Sequence, residues 1–311
     1  MRRFAIGLVA CVVGAAGCGR PATPPAQQQA GGAAPASPAA QVTPATSVYM
    51  CPMDKNIRAH SPGNCPICGM KLVTSVPEPV EYHLDLSAAP TPRPNIPVRL
   101  TFHVLDPWKD LPVAKFSVVH EKLFHAFIVS RDLEVFLHGH PSWHEGAFEY
   151  DLTLPKSGMY RVLGDFYPEA STPQLIAKTL FVAGPDQQPP SLGRDYSTKS
   201  GDNLQVGLAT SPESPSAGLP TRLLLSVSPS DGIERYLGVW AHMLAASDDL
   251  IDMMHTHPTL ADGGSSMQFD VVFPRARPYR VWVQIQRRGV VNTVHFDVPV
   301  KPAPKDEEGA P

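Results

Sequence analysis

Six of the chain's 12 histidines fall into two matching triplets. The first runs His125…Ser130-Arg131-Asp132-Leu133…His138-Gly139-His140-Pro141, and the second runs His242…Ser247-Asp248-Asp249-Leu250…His255-Thr256-His257-Pro258. Each position lies 117 residues from its counterpart. Neutral imidazole is a common metal ligand, so three on one surface make a candidate site. If Arg131 and Asp132 are the central pair of a tight hairpin turn, Phe127 lies opposite Phe136 and His125 opposite His138. His140 then shares their face, because strand side chains repeat every two residues. In the second copy His242 faces His255 with His257 beside them, and Leu244 pairs with Met253. That adds a thioether to three nitrogens, a set acceptable to copper as Cu(I) or Cu(II). The competing reading is packed histidines hydrogen-bonded to backbone or carboxylate. Phe127 and Phe136 read as core, and the loop residues His120 and His144, near the first hairpin in sequence, could add ligands but read more simply as solvated.

A second ligand set stands at Tyr49-Met50-Cys51-Pro52-Met53-Asp54 and Ser61-Pro62-Gly63-Asn64-Cys65-Pro66-Ile67-Cys68-Gly69-Met70. Cys-Pro-x-Cys-Gly is a metal knuckle: Pro stiffens the loop, two thiolates converge, and Gly lets the backbone turn beneath them. Cys51 supplies a third sulfur, and Met53 and Met70 each lie two residues from a Cys. Thiolate and thioether together favour soft ions such as Cu(I), with Zn(II) the ordinary competitor. A Cys65–Cys68 disulfide with one thiol left over, and a purely structural zinc clip, are the alternatives.

Residues 49–73 resemble the small heavy-metal-binding domain with the pattern Cys-Pro-Met-His…Pro-Gly-x-Cys-Pro-x-Cys-Gly-Met. That module occurs in metal-efflux ATPases and in periplasmic adaptors of copper and silver efflux pumps. The resemblance implies metal ligation by Cys51, Cys65 and Cys68. It also marks a departure, since Asp54 stands where the family has His. A carboxylate there is a harder ligand and lowers soft-metal affinity unless His60 or a Met substitutes.

The elements that must position these groups read as strands. Pro makes up 35 of 311 residues, which disfavours long helices. Short runs such as Val98 to Val104, Phe148 to Leu154, Leu223 to Ser228 and Tyr279 to Gln286 alternate with Pro, Gly, Asp or Ser. The repeat extends beyond the histidines. Pro97-Val98-Arg99-Leu100 matches Pro220-Thr221-Arg222-Leu223, and Pro155…Tyr160-Arg161-Val162 matches Pro274…Tyr279-Arg280-Val281. The expected fold is mainly β, a small zinc-ribbon-like knuckle followed by two tandem immunoglobulin-like sandwiches. The sandwiches also resemble secreted immunoglobulin-like domains of the YtkA-like kind.

Arg2 and Arg3 precede an apolar run, Phe4 to Ala16, that is too short to span a bilayer and reads as an export signal. It ends at Gly14-Ala15-Ala16-Gly17-Cys18, which resembles a bacterial lipobox and makes Cys18 the expected lipidation site; simple cleavage without lipid is the alternative. The expected segments are a signal over 1–18, an Ala/Pro/Gln-rich tether over 19–47 and the metal module over 48–77. Sandwiches over 78–184 and 201–301 follow, with a linker at 185–200 and a tail at 302–311.

A net charge of −3 without a basic run argues against nucleic acid. No Gly-x-Ser-x-Gly, phosphate loop or spaced general base is present, so no enzyme is expected. The sequence points to a lipid-anchored protein of the cell envelope, periplasm-facing or at the outer membrane. It would bind copper-type ions for sequestration or transfer, with a metal-efflux assembly as a partner. The alternative is an envelope adaptor with a structural zinc clip.

Overall fold

The structure is a computed structural model that describes residues 48–51, 58–59, 61–66, 68–75 and 81–304. Cys18, Met53, Asp54 and His60, with the expected signal and tether, lie outside these residues. The described chain is all β. In the N-terminal module β1 (Val48–Met50) pairs antiparallel with β2 (Arg58–Ala59) and β3 (Val73–Ser75).

The first repeat contains β4 (His83–Ala89), β5 (Pro97–Leu105), β6 (Phe124–Ser130), β7 (Phe136–Gly139), β8 (Ser142–His144), β9 (Ala147–Thr153), β10 (Gly158–Phe166) and β11 (Gln174–Val182). They form two sheets in the orders β4-β5-β9-β8 and β11-β10-β6-β7. The second repeat contains β12 (Lys199–Ser200), β13 (Gln205–Ser211), β14 (Pro220–Ser228), β15 (Ile233–Glu234), β16 (His242–Ser247), β17 (Met253–Thr256), β18 (Leu260–Ala261), β19 (Ser266–Val272), β20 (Pro278–Arg287) and β21 (Val290–Pro299). Its sheets run β12-β13-β14-β19-β18 and β15-β20-β16-β17, with β21 also paired to β20. Both repeats show immunoglobulin-like sheet order, so the chain carries two tandem sandwiches. The expected linker is held rather than loose: Asp186 accepts the Met159 amide, and Asp195 pairs through its backbone with Asp297.

Outer-sheet strands alternate as a half-buried strand should, β14 most cleanly. By contrast, β6 and β16 are buried at every position. Phe124, Ala126 and Ile128 face the first sandwich's own core. Phe127 and Val129 point the other way, into an apolar seam with Leu133, Leu163, Leu244, Ala246, Leu250, Met253 and Trp282. Phe136 stacks on Trp282 with ring centres 5.1 Å apart. Each large apolar side chain sealed there contributes about 1.5–3 kcal/mol, so the seam fixes one repeat against the other. A buried clasp adds direction: Arg280 donates to Asp297 within its own repeat and to the Leu133 carbonyl and Glu134 carboxylate of the first. His125 and His242 lie on these seam-facing strands, His138 and His255 on their hairpin partners β7 and β17, and His140 and His257 just beyond those partners.

Candidate metal centre

The hairpins that carry the triplets differ from the expected register. Val129 pairs with Phe136, Phe127 with His138, and Ala126 with Gly139. Likewise Ala246 pairs with Met253 and Leu244 with His255. The loop is longer by two residues than a two-residue turn because Ser130 closes it with its own side chain. Its backbone amide donates to Val135 O, its hydroxyl accepts the Val135 amide, and Leu133 adopts φ +59°. Ser247 and Leu250 repeat the arrangement. Direct pairing of His125 with His138, and of His242 with His255, is therefore incorrect. A slip of two residues preserves the face, however, so the side chains still meet. Met253 pairs with Ala246 rather than with Leu244 as expected, and it packs in the apolar seam.

Within each triplet one nitrogen per residue comes within 4.8 Å of the others, for His125, His138 and His140 and again for His242, His255 and His257. His242 Nε2 lies 3.1 Å from the Tyr236 carbonyl, which can only accept, so Nε2 carries the proton and Nδ1 presents a lone pair. His255 Nδ1 lies 2.6 Å from Asp165 Oδ2 and donates to that carboxylate, which leaves Nε2 bare. These two lone pairs face each other at 3.2 Å, and His257 Nε2 stands 3.1 Å from the same Nδ1. The first triplet repeats the pattern. His125 Nε2 donates to Val119 O, His138 Nδ1 donates to Gln284 Oε1, and the inward nitrogens are 3.1 Å apart. His140 Nε2 is buried and has no hydrogen-bond partner among the described residues. With metal–nitrogen bonds of about 2.0–2.1 Å, separations of 3.1–3.2 Å subtend roughly 100° at an ion, near tetrahedral.

Protons are poor occupants of these centres. Burial, with the neighbouring imidazoles adding to it, pushes His140 down to about 4, His255 and His257 to about 3, and His138 to about 2. His125 and His242 are lowered for the same reason. All six are neutral and ligand-ready at neutral pH. Burial pushes Asp165 up to about 6, so it is mostly ionised there.

The outward partners of His138 and His255 come from the opposite repeat: Gln284 lies on β20 and Asp165 on β10. Hydrogen bonds of this kind fix the tautomer and aim of a metal-ligating histidine. Neither partner stood out in the sequence, since both are ordinary outward residues of alternating strands. Of the two readings open for His120, the structure favours the one that places it at the site: its ring centre is 3.9 Å from that of His257 and 5.7 Å from that of His242. Its place in the same repeated block, five residues before His125, was the only available signal.

In the N-terminal module Cys51 and Cys65 are buried and Cys68 is exposed. Their sulfurs lie within 4.8 Å of one another, with Cys51 and Cys68 at 3.5 Å, well beyond a disulfide bond. The Cys65 amide donates to Met70 O and the Gly69 amide to Cys65 O, and the backbone turns at Gly69 with φ +73°, the left-handed region that glycine enters freely. Against the favourable Met70 backbone hydrogen bond, hydrogen bonding with the Cys51 and Cys65 sulfurs pushes the Cys68 thiol up. Met70 is 44% exposed.

Residues 48–74 match the family described as heavy metal binding domain. No curated protein matches the chain. Among solved structures, a Salmonella alpha-2-macroglobulin mutant is similar at 14% identity and TM-score 0.23, over 73% of this chain and 15% of that one. The FN1-FN3 domains of chicken CNTN1 are similar at 9% identity and TM-score 0.21, over 77% and 76% of the two chains. Red sea bream transglutaminase is similar at 11% identity and TM-score 0.21, over 71% and 31%. Residues 76–181 and 198–302 each match the family described as Domain of unknown function (DUF8832), and because these two stretches make up more than half of the sequence, the chain belongs to that family.

Proposed function

We propose that this chain binds copper-type ions in the cell envelope and sequesters them or passes them on, without catalysing a reaction. The observation that carries the reading is the second triplet. Tyr236 O and Asp165 fix the protons of His242 and His255 on their outer nitrogens, so bare nitrogens meet at 3.2 Å, an arrangement that a metal ion satisfies. The detected heavy-metal-binding domain supplies a soft thiolate site in the same chain. Export and anchoring through Cys18 are part of the proposal and rest on the leader residues Arg2 to Ala16. A metal-efflux assembly is the partner class that the module's resemblance suggests.

The test is metal analysis of the full chain recovered from a bacterial periplasm. Copper at about one or more per chain, reduced stepwise by Cys65→Ser and by His255→Ala, supports the proposal. Zinc alone at about one per chain, lost on deleting 48–77, replaces it with a structural clip in an adaptor. Recovery of unlabelled protein from the soluble fraction after feeding a fatty-acid analogue refutes the anchor.

A further inference from the structure

We infer that the two histidine triplets form one two-metal centre across the seam, with inequivalent metal positions completed by a shared small bridging ligand. The inference rests on the reading above that the triplets ligate metal.

Geometry comes first. The rings of His125, His138, His242 and His255 stand at mutual centre separations of 5.4 to 6.2 Å, in all six combinations. Four points so spaced form a nearly regular tetrahedron. The His125/His138 and His242/His255 pairs are opposite edges of it, and each edge belongs to one triplet. The midpoints of these opposite edges lie about 4 Å apart, so an ion held at each and drawn toward His140 or His257 would lie roughly 4 Å or more from the other, at the upper end of the roughly 3.5–4 Å spacing of two-metal sites. Among these four rings the separations between triplets, 5.4 to 6.2 Å, overlap the 5.4 and 5.5 Å within each pair, so the two triplets meet across the seam in one cluster rather than lying on separate domains. Three imidazoles leave an ion short of a full shell. Two such ions complete their shells most economically with one common small ligand, a hydroxide at a separation of about 4 Å and a bridge of two or three atoms at a longer one.

The inequivalence follows from the repeat. Asp165 and Gln284 occupy matching positions on β10 and β20, 119 residues apart like Tyr160 and Tyr279. Each supports a histidine of the other repeat, but one is a carboxylate and the other an amide. The carboxylate makes His255 the stronger donor and offsets cationic charge. His120 adds to the asymmetry: it lies beside His257, whereas the matching position in the second repeat is Leu237. The His242/His255/His257 position therefore fills first, and the second ion enters against the charge of the first.

The test uses the full chain with Cys51, Cys65 and Cys68 replaced by Ser, titrated with Cu(II) and followed by electron paramagnetic resonance. The expected result is two ions per chain in unequal steps. The first gives an ordinary Cu(II) spectrum, and the second gives lost spin intensity or a half-field line from coupled ions. Asp165→Asn should weaken the first step about 10–100-fold and leave the second unchanged. Gln284→Glu should tighten the second step, and it reads the same asymmetry should Asp165→Asn fail to fold. Two ions with independent, full-intensity spectra, or a single ion for all six histidines, would overturn the two-metal centre while leaving metal binding intact. Equal effects of Asp165→Asn on both steps overturn the inequivalence. No bound copper at all removes the functional proposal itself.

Discussion

Replacing Trp282 with Ala should loosen the seam and weaken the histidine sites together. Trp282 is 3% exposed, stacks on Phe136 at 5.1 Å, and sits among Phe127, Leu244 and Met253. An indole burying about 150–250 Å² is worth on the order of 4–6 kcal/mol at about 25 cal/mol per Å². Measured Trp-to-Ala truncations of about 3–5 kcal/mol agree with that figure. The sandwich cores on either side do not depend on this ring, so the loss falls on the contact between repeats. That contact holds Gln284 against His138 and Asp165 against His255, at 2.6 Å in each case. Chemical denaturation of wild type and Trp282→Ala, paired with metal titration at matched folded fraction, reads both effects. Phe181→Ala, at a side chain 66% exposed, is the control and should change stability by less than about 0.5 kcal/mol. A variant that loses stability yet keeps wild-type affinity at the histidines would refute the coupling of seam to site. A variant as stable as wild type would refute the packing argument.

In the metal-free protein the buried histidines have folded pKa values below their unfolded ones. The unfolded chain therefore binds more protons, and stability falls as pH drops below about 6.5. Each histidine that stays neutral at pH 5 costs about 2 kcal/mol, so His138 and His255 together cost about 4; Asp165, with its pKa raised, acts in the opposite sense between about pH 4 and 6. Denaturation curves that are unchanged from pH 7.5 to 5 would refute this. Gly139→Ala places a Cβ 2.3 Å from Tyr150 Cζ, so the tyrosine or the strand between His138 and His140 must move; a cost of about 1–3 kcal/mol with weaker metal binding is expected by thermal unfolding and titration. Cys65→Ser should abolish Cu(I) and Zn(II) uptake by the N-terminal module, read by chelator competition, while the histidine sites keep their affinity.

The ligand types, their spacing and the duplication were all legible in the chain, because thiolates at Cys-Pro-x-Cys-Gly and histidines at alternate positions state their chemistry locally. The all-β reading was equally legible from strand periods and Pro-rich turns. The hairpin register was not: it depends on Ser130 and Ser247 spending their hydroxyls inside the turn, a choice between loops of similar composition. The face survived that error because the side-chain period is two, so a slip of two residues returns every histidine to the same side. What only the tertiary structure decided is the meeting of the two repeats. The continuous burial of β6 and β16 does not name its partner in sequence, since a strand buried on both faces reads the same whatever covers it. Only packing brings Asp165 to His255, Gln284 to His138 and the six rings into one cluster, because residues some 90 to 146 positions apart share no local pattern.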